Sequence, residues 1–216
     1  MGASDFSSLP YIGESVLRKE DVRFLTGAGQ YTDDVILQDI SYTVFVRSPH
    51  AHAVIKKINK AAALAAPGVL AVFDGQDVAA DKVGGLPCGW LITSTNGEPM
   101  KEPPHPILAQ GKARYVGDGV AMVIATSYEA AKNAAELVEV AYEVLHSVVD
   151  VRDAQAPGSP LVHDASPENH CYKWAIFDKA KFDAVFQTAS HVTNLALFHN
   201  RLIPNPLPPL PALCLY

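Results

Sequence analysis

The chain has 216 residues, and 17 Lys and Arg against 23 Asp and Glu leave a formal charge of −6. With 49 % hydrophobic and 19 % charged residues there is ample apolar material for a core, so disorder along the whole chain is excluded. The acidic balance argues against nucleic acid as a partner, because phosphate binding needs a basic face, and no apolar run approaches the ~18 residues of a membrane span.

The N-terminus, MGASDFSSLPYIG, has neither a basic n-region nor an apolar h-region, so no secretory signal is expected. Phe6 stands where a myristoylation signal would need Ser or Thr. Residues 1–40 read as an extended lead-in with turns. YTVFVR (42–47) and AVIKKI (53–58) are β-branched and aromatic runs, parted by SPHAHA with its bend at Pro49. Asn59 can cap a short helix, KAAALAA, which Pro67-Gly68 stops. VLAVF (69–73) is a further strand. From about Gln76 to Pro106 the chain is longer than an ordinary loop, and it is expected to be an excursion that packs against a partner or another domain.

ARYVGDGVAMVIA (113–125) reads as strand, turn and buried strand. A helix is expected from Thr126, with Thr126 and Glu129 in the T-x-x-E spacing of a capping box. Ala130, Ala134, Leu137 and Val138 would form its apolar face. VEVAYEVL then alternates as a strand. DVRDAQAPGSP is linker-like, and FDAVFQTASHVTNLALFHN offers one short helix and one strand, HVTNLALFHN. Finally Pro204, Pro206, Pro208, Pro209 and Pro211 crowd the tail, where missing donors and fixed φ forbid a central strand. The order of elements is α/β or α+β.

No motif announces a reaction. Gly27-Ala28-Gly29 lacks the third glycine of a nucleotide loop, Thr32 taking its place, and reads as a turn. Tyr115-Val116-Gly117-Asp118-Gly119 likewise reads as a strand-connecting turn. His50 and His52, two apart on a strand, would share a face and make half a metal site; His163, His170 and Cys171 lie downstream, but a structural role is favoured. Cys88, in a Gly/Pro loop, is the best candidate for a reactive thiol, yet no base or helix N-terminus is evident beside it. Three widely spaced cysteines, Cys88, Cys171 and Cys214, fit a reducing, cytoplasmic setting.

Five blocks in order carry a resemblance: RKEDVRFLTGAGQYTDD, VRSPHAHAVIKKIN, PGVLAVFDGQDV, ARYVGDGVAMVIA and EAAKNAAELVEVAYEVL. Together they resemble the N-terminal part of molybdenum-hydroxylase large subunits, the xanthine dehydrogenase / aldehyde oxidase / aerobic carbon monoxide dehydrogenase family. GLPCGW and EPPHPILA look more like the carbon monoxide dehydrogenase branch. The resemblance implies an α+β fold: a lead-in over 1–19, an α/β hammerhead domain over 20–146, a linker over 147–160 and the incomplete start of a molybdopterin-binding domain over 161–206. An atypical proline-rich tail would follow over 207–216.

The resemblance also implies a molybdenum–molybdopterin cofactor in the full-length enzyme, acting on an aldehyde, an N-heterocycle or carbon monoxide with water as oxygen source. An iron–sulfur subunit with [2Fe-2S] clusters and an FAD subunit would be the partners, beside a small-molecule substrate. No catalytic, cofactor-binding or metal residue carries over to a position here, and no cofactor is expected on this chain alone. Where the family continues into Met-Glu-Pro-Arg, this chain has Leu207-Pro208-Pro209-Leu210 after NRLIPNP. The expectation is therefore a truncated or frame-shifted product, inactive alone. The alternative is a stand-alone binding module that docks on an iron–sulfur or FAD partner through the 76–106 loop.

Overall fold

The computed structural model describes residues 13, 15–197, 199, 202 and 212–214. Most of the expected lead-in and most of the proline-rich tail lie outside these residues. The chain divides into a larger unit, residues 39–195, and a smaller one made of residues 1–38 and 196–216.

In the smaller unit, helix α1 (Asp21–Leu25) starts with Asp21 in its first turn, where Arg18 pairs with it at 3.0 Å. Gly27, at φ +73°, ends it, and the Ala28 amide donates back to the Arg23 carbonyl. The Gly-Ala-Gly motif is thus a helix-ending turn, as its missing third glycine suggests. Gly29 leaves room for Phe24, whose ring stacks on Tyr31 at 5.4 Å between centroids.

The larger unit holds six strands and four helices among the described residues: β1 (Tyr42–Arg47), β2 (Ala53–Asn59), α2 (Ala61–Leu64), β3 (Val69–Asp74), α3 (Gly75–Ala80), β4 (Lys112–Ala113), β5 (Gly119–Ala125), α4 (Tyr128–Glu136), β6 (Glu139–Val144) and α5 (Lys179–Thr188). They form two three-stranded sheets, β1-β5-β3 and β4-β2-β6, with antiparallel pairing throughout. Small antiparallel sheets with separate helices make the fold α+β, in agreement with the sequence reading. β1 and β2 are consecutive yet belong to different sheets, because the chain bends over Ser48–His52. The Ser48 hydroxyl spans that bend, donating to the His50 carbonyl and accepting from the His50 amide.

β5 is the middle strand of its sheet. Val120, Ala121, Val123 and Ala125 are all fully buried, which explains a nearly continuous apolar run instead of alternation. The core is rich in alanine: Ala63 of α2 and Ala134 of α4 pack with Val72, Ala121, Val123 and Val138. Small side chains let the helices lie close on the sheet, where dispersion contacts are densest.

Three local expectations are corrected. The helix cap is Ser127, whose Oγ accepts the Ala130 amide at 3.1 Å. Thr126 still belongs to the strand end, its amide donating to the Gly68 carbonyl at 2.9 Å, so the helix begins one residue later. Its buried face is consequently Ala131 and Ala134, followed by Val138, while Leu137 is exposed. The excursion also starts later than Gln76, because residues 75–80 are helical. Asp74 caps α3 by accepting from the Gln76 and Asp77 amides, and Asp77 reaches back to the Asp74 amide. The rest of the loop pairs with a later stretch of the same unit: the Thr95 amide donates to the Lys173 carbonyl, and the Lys101 amide to the Cys171 carbonyl. Finally, residues 191–197 form no strand, and no strand among the described residues pairs with them; Phe198 and Asn200 lie outside the described residues.

Candidate functional site

A cleft of about 290 Å³ opens in the larger unit where β4, the turn after it, the Pro103–Pro106 stretch and the segment at 162–163 converge. Its polar wall is His105, Arg114, Tyr115, Asp118 and His163. Each is placed by backbone geometry. The 114–118 turn closes when the Asp118 carboxylate accepts the Arg114 amide at 3.0 Å and the Asp118 amide donates to the Tyr115 carbonyl. Gly117, at φ +90°, supplies the left-handed residue that turn requires. The Gly117 amide and Asp118 carbonyl pair with Ser48, at 2.8 Å each, and the Arg47 guanidinium donates to the Gly117 carbonyl at 2.8 Å. The expected strand-connecting turn is what the structure contains.

Across the cleft, the Arg114 guanidinium donates to the Val162 carbonyl at 3.2 Å, and Lys112 pairs with Asp164 at 2.9 Å. Asn169 ties the same segment together: it accepts the Val162 amide and donates to the Ala154 and Pro160 carbonyls. Burial, and then the positive charge of Arg114, push the His163 imidazole below its ordinary value. Burial and the neighbouring Asp118 carboxylate push the Tyr115 phenol up. At neutral pH the cleft therefore presents a neutral imidazole, a protonated phenol and a guanidinium committed to backbone oxygen. Its described lining residues include no cysteine, serine, threonine or lysine; the titratable groups it offers are His105, Tyr115, Asp118 and His163.

The sequence candidates fall in and around this region unevenly. His52 is buried, with Nδ1 2.9 Å from the His146 carbonyl oxygen. His50 instead packs edge-on against Tyr142 at 5.0 Å, so the two do not form half a metal site. His163 lines the cleft together with His105, whereas the Cys171 carbonyl is engaged by the Lys101 amide. Among the described residues no three His, Cys, Asp or Glu side chains gather to hold a metal ion. Cys88 is exposed; its amide donates to the Glu102 carboxylate and its thiol to the Trp90 carbonyl. The thiol's hydrogen bond goes to a backbone carbonyl rather than to a base. Arg114 and Asp118 share the 114–118 turn, but they were not legible as part of a site, because Val162 and His163 meet them from a segment distant in sequence; only the left-handed turn at Gly117 left a sequence mark.

Two small antiparallel sheets with helices laid on an alanine-rich core define an α/β hammerhead architecture. Residues 26–146, more than half of the chain, match the aldehyde oxidase and xanthine dehydrogenase a/b hammerhead domain, and the chain belongs to that family. It is 34 % identical over 201 residues to the carbon monoxide dehydrogenase large chain of Hydrogenophaga pseudoflava, covering 88 % of this chain and 24 % of that one. It is 36 % identical over 191 residues to the nicotine 6-hydroxylase large subunit of Paenarthrobacter nicotinovorans, covering 87 % and 22 %. Its structure resembles that of the reconstituted CO dehydrogenase from Oligotropha carboxidovorans, with a TM-score of 0.65, 34 % identity, and 82 % and 22 % coverage. The chain thus spans about a quarter of the length of the curated relatives it matches. Among the described residues no helix is long and apolar enough to cross a membrane.

Proposed function

We propose that this chain is the hammerhead portion of the large subunit of a molybdopterin-dependent oxidoreductase, working in the cytoplasm. The observation that carries the reading is the match of residues 26–146 to the hammerhead domain of the family. Its matched relatives include molybdenum-containing enzymes. In such an enzyme a molybdenum–pterin group, when bound, oxidises an aldehyde, an N-heterocycle or carbon monoxide with oxygen drawn from water. Electrons would pass to [2Fe-2S] and FAD partner subunits.

Among the described residues no three His, Cys, Asp or Glu side chains gather as metal ligands, and the Arg114 guanidinium of the cleft donates to the Val162 and Lys112 carbonyls. No residue here is therefore assigned a catalytic step. The role of this unit is architectural: it joins a rigid double sheet to the segment from about residue 161, where the molybdopterin-binding domain would begin. Immunoprecipitation from the native source, with antibody against residues 39–195, tests the partnership. Co-purifying iron–sulfur and flavin polypeptides are expected; recovery of the chain alone in every preparation would favour a stand-alone module.

A further inference from the structure

Asn96-Gly97 is the only Asn-Gly step in the sequence; Asn59, Asn133, Asn169, Asn194, Asn200 and Asn205 are each followed by a residue with a side chain. The step lies at the tip of a hairpin within the 76–106 excursion. The Ser94 amide donates to the Glu98 carbonyl at 2.8 Å, the Met100 amide to the Ile92 carbonyl at 2.9 Å, and Thr93 bridges to Pro99. The Gly97 amide closes the loop by donating to the Ser94 carbonyl at 2.9 Å, with Gly97 at φ +86°. A three-residue hairpin loop calls for a left-handed residue at that place, which is why glycine follows the asparagine.

This arrangement supplies the parts of an intramolecular reaction. A bond from the Gly97 nitrogen to Asn96 Cγ closes a five-membered ring, so covalent adjacency already holds the two reacting atoms together. Asn96 Oδ1 accepts the Glu98 amide at 3.1 Å; that donor draws charge off Cγ and faces the oxygen that turns negative on attack. Both residues are exposed to the water that completes the reaction, and the open side of Gly97 has nothing within 4 Å. The bond from the Gly97 amide to Ser94 must open first, and at an exposed loop tip such openings cost little.

We propose that Asn96 is a deamidation site, and that its conversion loosens the 171–173 segment from the hairpin. The Gly97 amide gives its proton to solvent and its nitrogen attacks Cγ; the Cγ–Nδ2 bond breaks, and the departing nitrogen takes up a proton from water and leaves as ammonia. Water then opens the succinimide at either carbonyl and leaves aspartate or isoaspartate, with no change of oxidation state. The segment is tied to the hairpin by three bonds: the Thr95 amide to the Lys173 carbonyl at 2.8 Å, the Lys173 amide to the Ser94 hydroxyl at 3.2 Å, and the Lys101 amide to the Cys171 carbonyl at 3.0 Å. Isoaspartate inserts a methylene into the main chain next to Thr95, and so disturbs the first two of these ties. The inference is independent of the function proposed above.

The test is incubation of the full chain in mildly alkaline buffer, followed by peptide mapping with mass spectrometry and isoaspartate-specific methyl labelling. Asn96 should convert about tenfold or more faster than Asn59, Asn133 or Asn169. In the separated converted chain, the Thr95 and Lys173 amides should exchange about tenfold faster than in the parent. Asn96→Gln, whose longer side chain cannot close the five-membered ring, should keep its amide and the parent's exchange through the same incubation. Conversion at Asn96 no faster than at the other asparagines overturns the proposal, and so does a converted chain whose Thr95 and Lys173 amides exchange as in the parent.

Discussion

Gly75 sits where α3 begins, against the backbone that leads into the cleft. A methyl group there, as in Gly75→Ala, would lie 2.2 Å from the Ala109 carbonyl oxygen and 2.9 Å from its carbon. Carbon–oxygen contacts settle near ~3.3 Å, so the two segments must part by about 1 Å. Neither yields easily. Leu108 and Ala109 are 2 % and 5 % exposed, and the Ala109 amide is bonded to the Gly119 carbonyl at 2.7 Å. On the other side, Gly75 follows Asp74, which caps α3 and pairs with Lys60 at 2.9 Å. Overpacking of this kind costs about 1–3 kcal/mol or more, while alanine for glycine in a helix returns about 0.5–1 kcal/mol. A net loss of about 2 kcal/mol is expected, or about 4–8 °C in Tm for a protein of this size. Gly89→Ala is the control, with nothing within 4 Å of the added methyl; it should stay within about 0.5 kcal/mol of the parent. Thermal and urea unfolding followed by circular dichroism measure both. If Gly75→Ala unfolds with Gly89→Ala, the close approach of α3 to Ala109 is wrong.

Lys60→Met removes the cation between Asp74 and Asp77 and should cost about 2 kcal/mol in urea unfolding. The Lys60 hydrogen bond, and after it the Asp74 amide, hold the Asp77 carboxyl below its usual 3.8. Stability from that depression is present above pH ~3.8 and lost as pH falls through the lower folded value, so the variant should begin to unfold at a higher pH than the parent on acid titration. His163 is pushed below 6.5 by burial and Arg114; its contribution is present above pH ~6.5 and lost as pH falls towards the folded value. Melting curves between pH 7.5 and 5 should therefore fall less steeply for His163→Asn than for the parent. Asn169→Ala breaks three hydrogen bonds at a residue with φ +52°. It should destabilise by about 2 kcal/mol and speed amide exchange over 154–162; unchanged exchange would contradict the tie described above.

The strands YTVFVR and AVIKKI were well marked in the amino-acid pattern, being β-branched runs bounded by Pro49 and Asn59, whereas the apolar run HVTNLALFHN misled, since 191–197 form no strand. Competing caps were harder. The T-x-x-E spacing at Thr126 points to a cap one residue too early, and the bond from the Thr126 amide to Gly68, a partner distant in sequence, accompanies the helix start after Ser127. Asp74 and Asp77 carry the D-x-x-D spacing of a capping box, which the reading of an excursion from about Gln76 passed over. The cleft was illegible for a different reason. Arg114 meets Val162, and Lys112 meets Asp164, across intervals set by tertiary packing, which no local spacing encodes.

The central claim is that these residues belong to a molybdenum-dependent large subunit. The most direct measurement is the size and metal content of the native polypeptide that reacts with antibody against residues 39–195. The account predicts a polypeptide about four times the length of this chain, given the 24 % coverage of its relative, with molybdenum and pterin in the same fraction. A 216-residue species that never co-fractionates with molybdenum would contradict it.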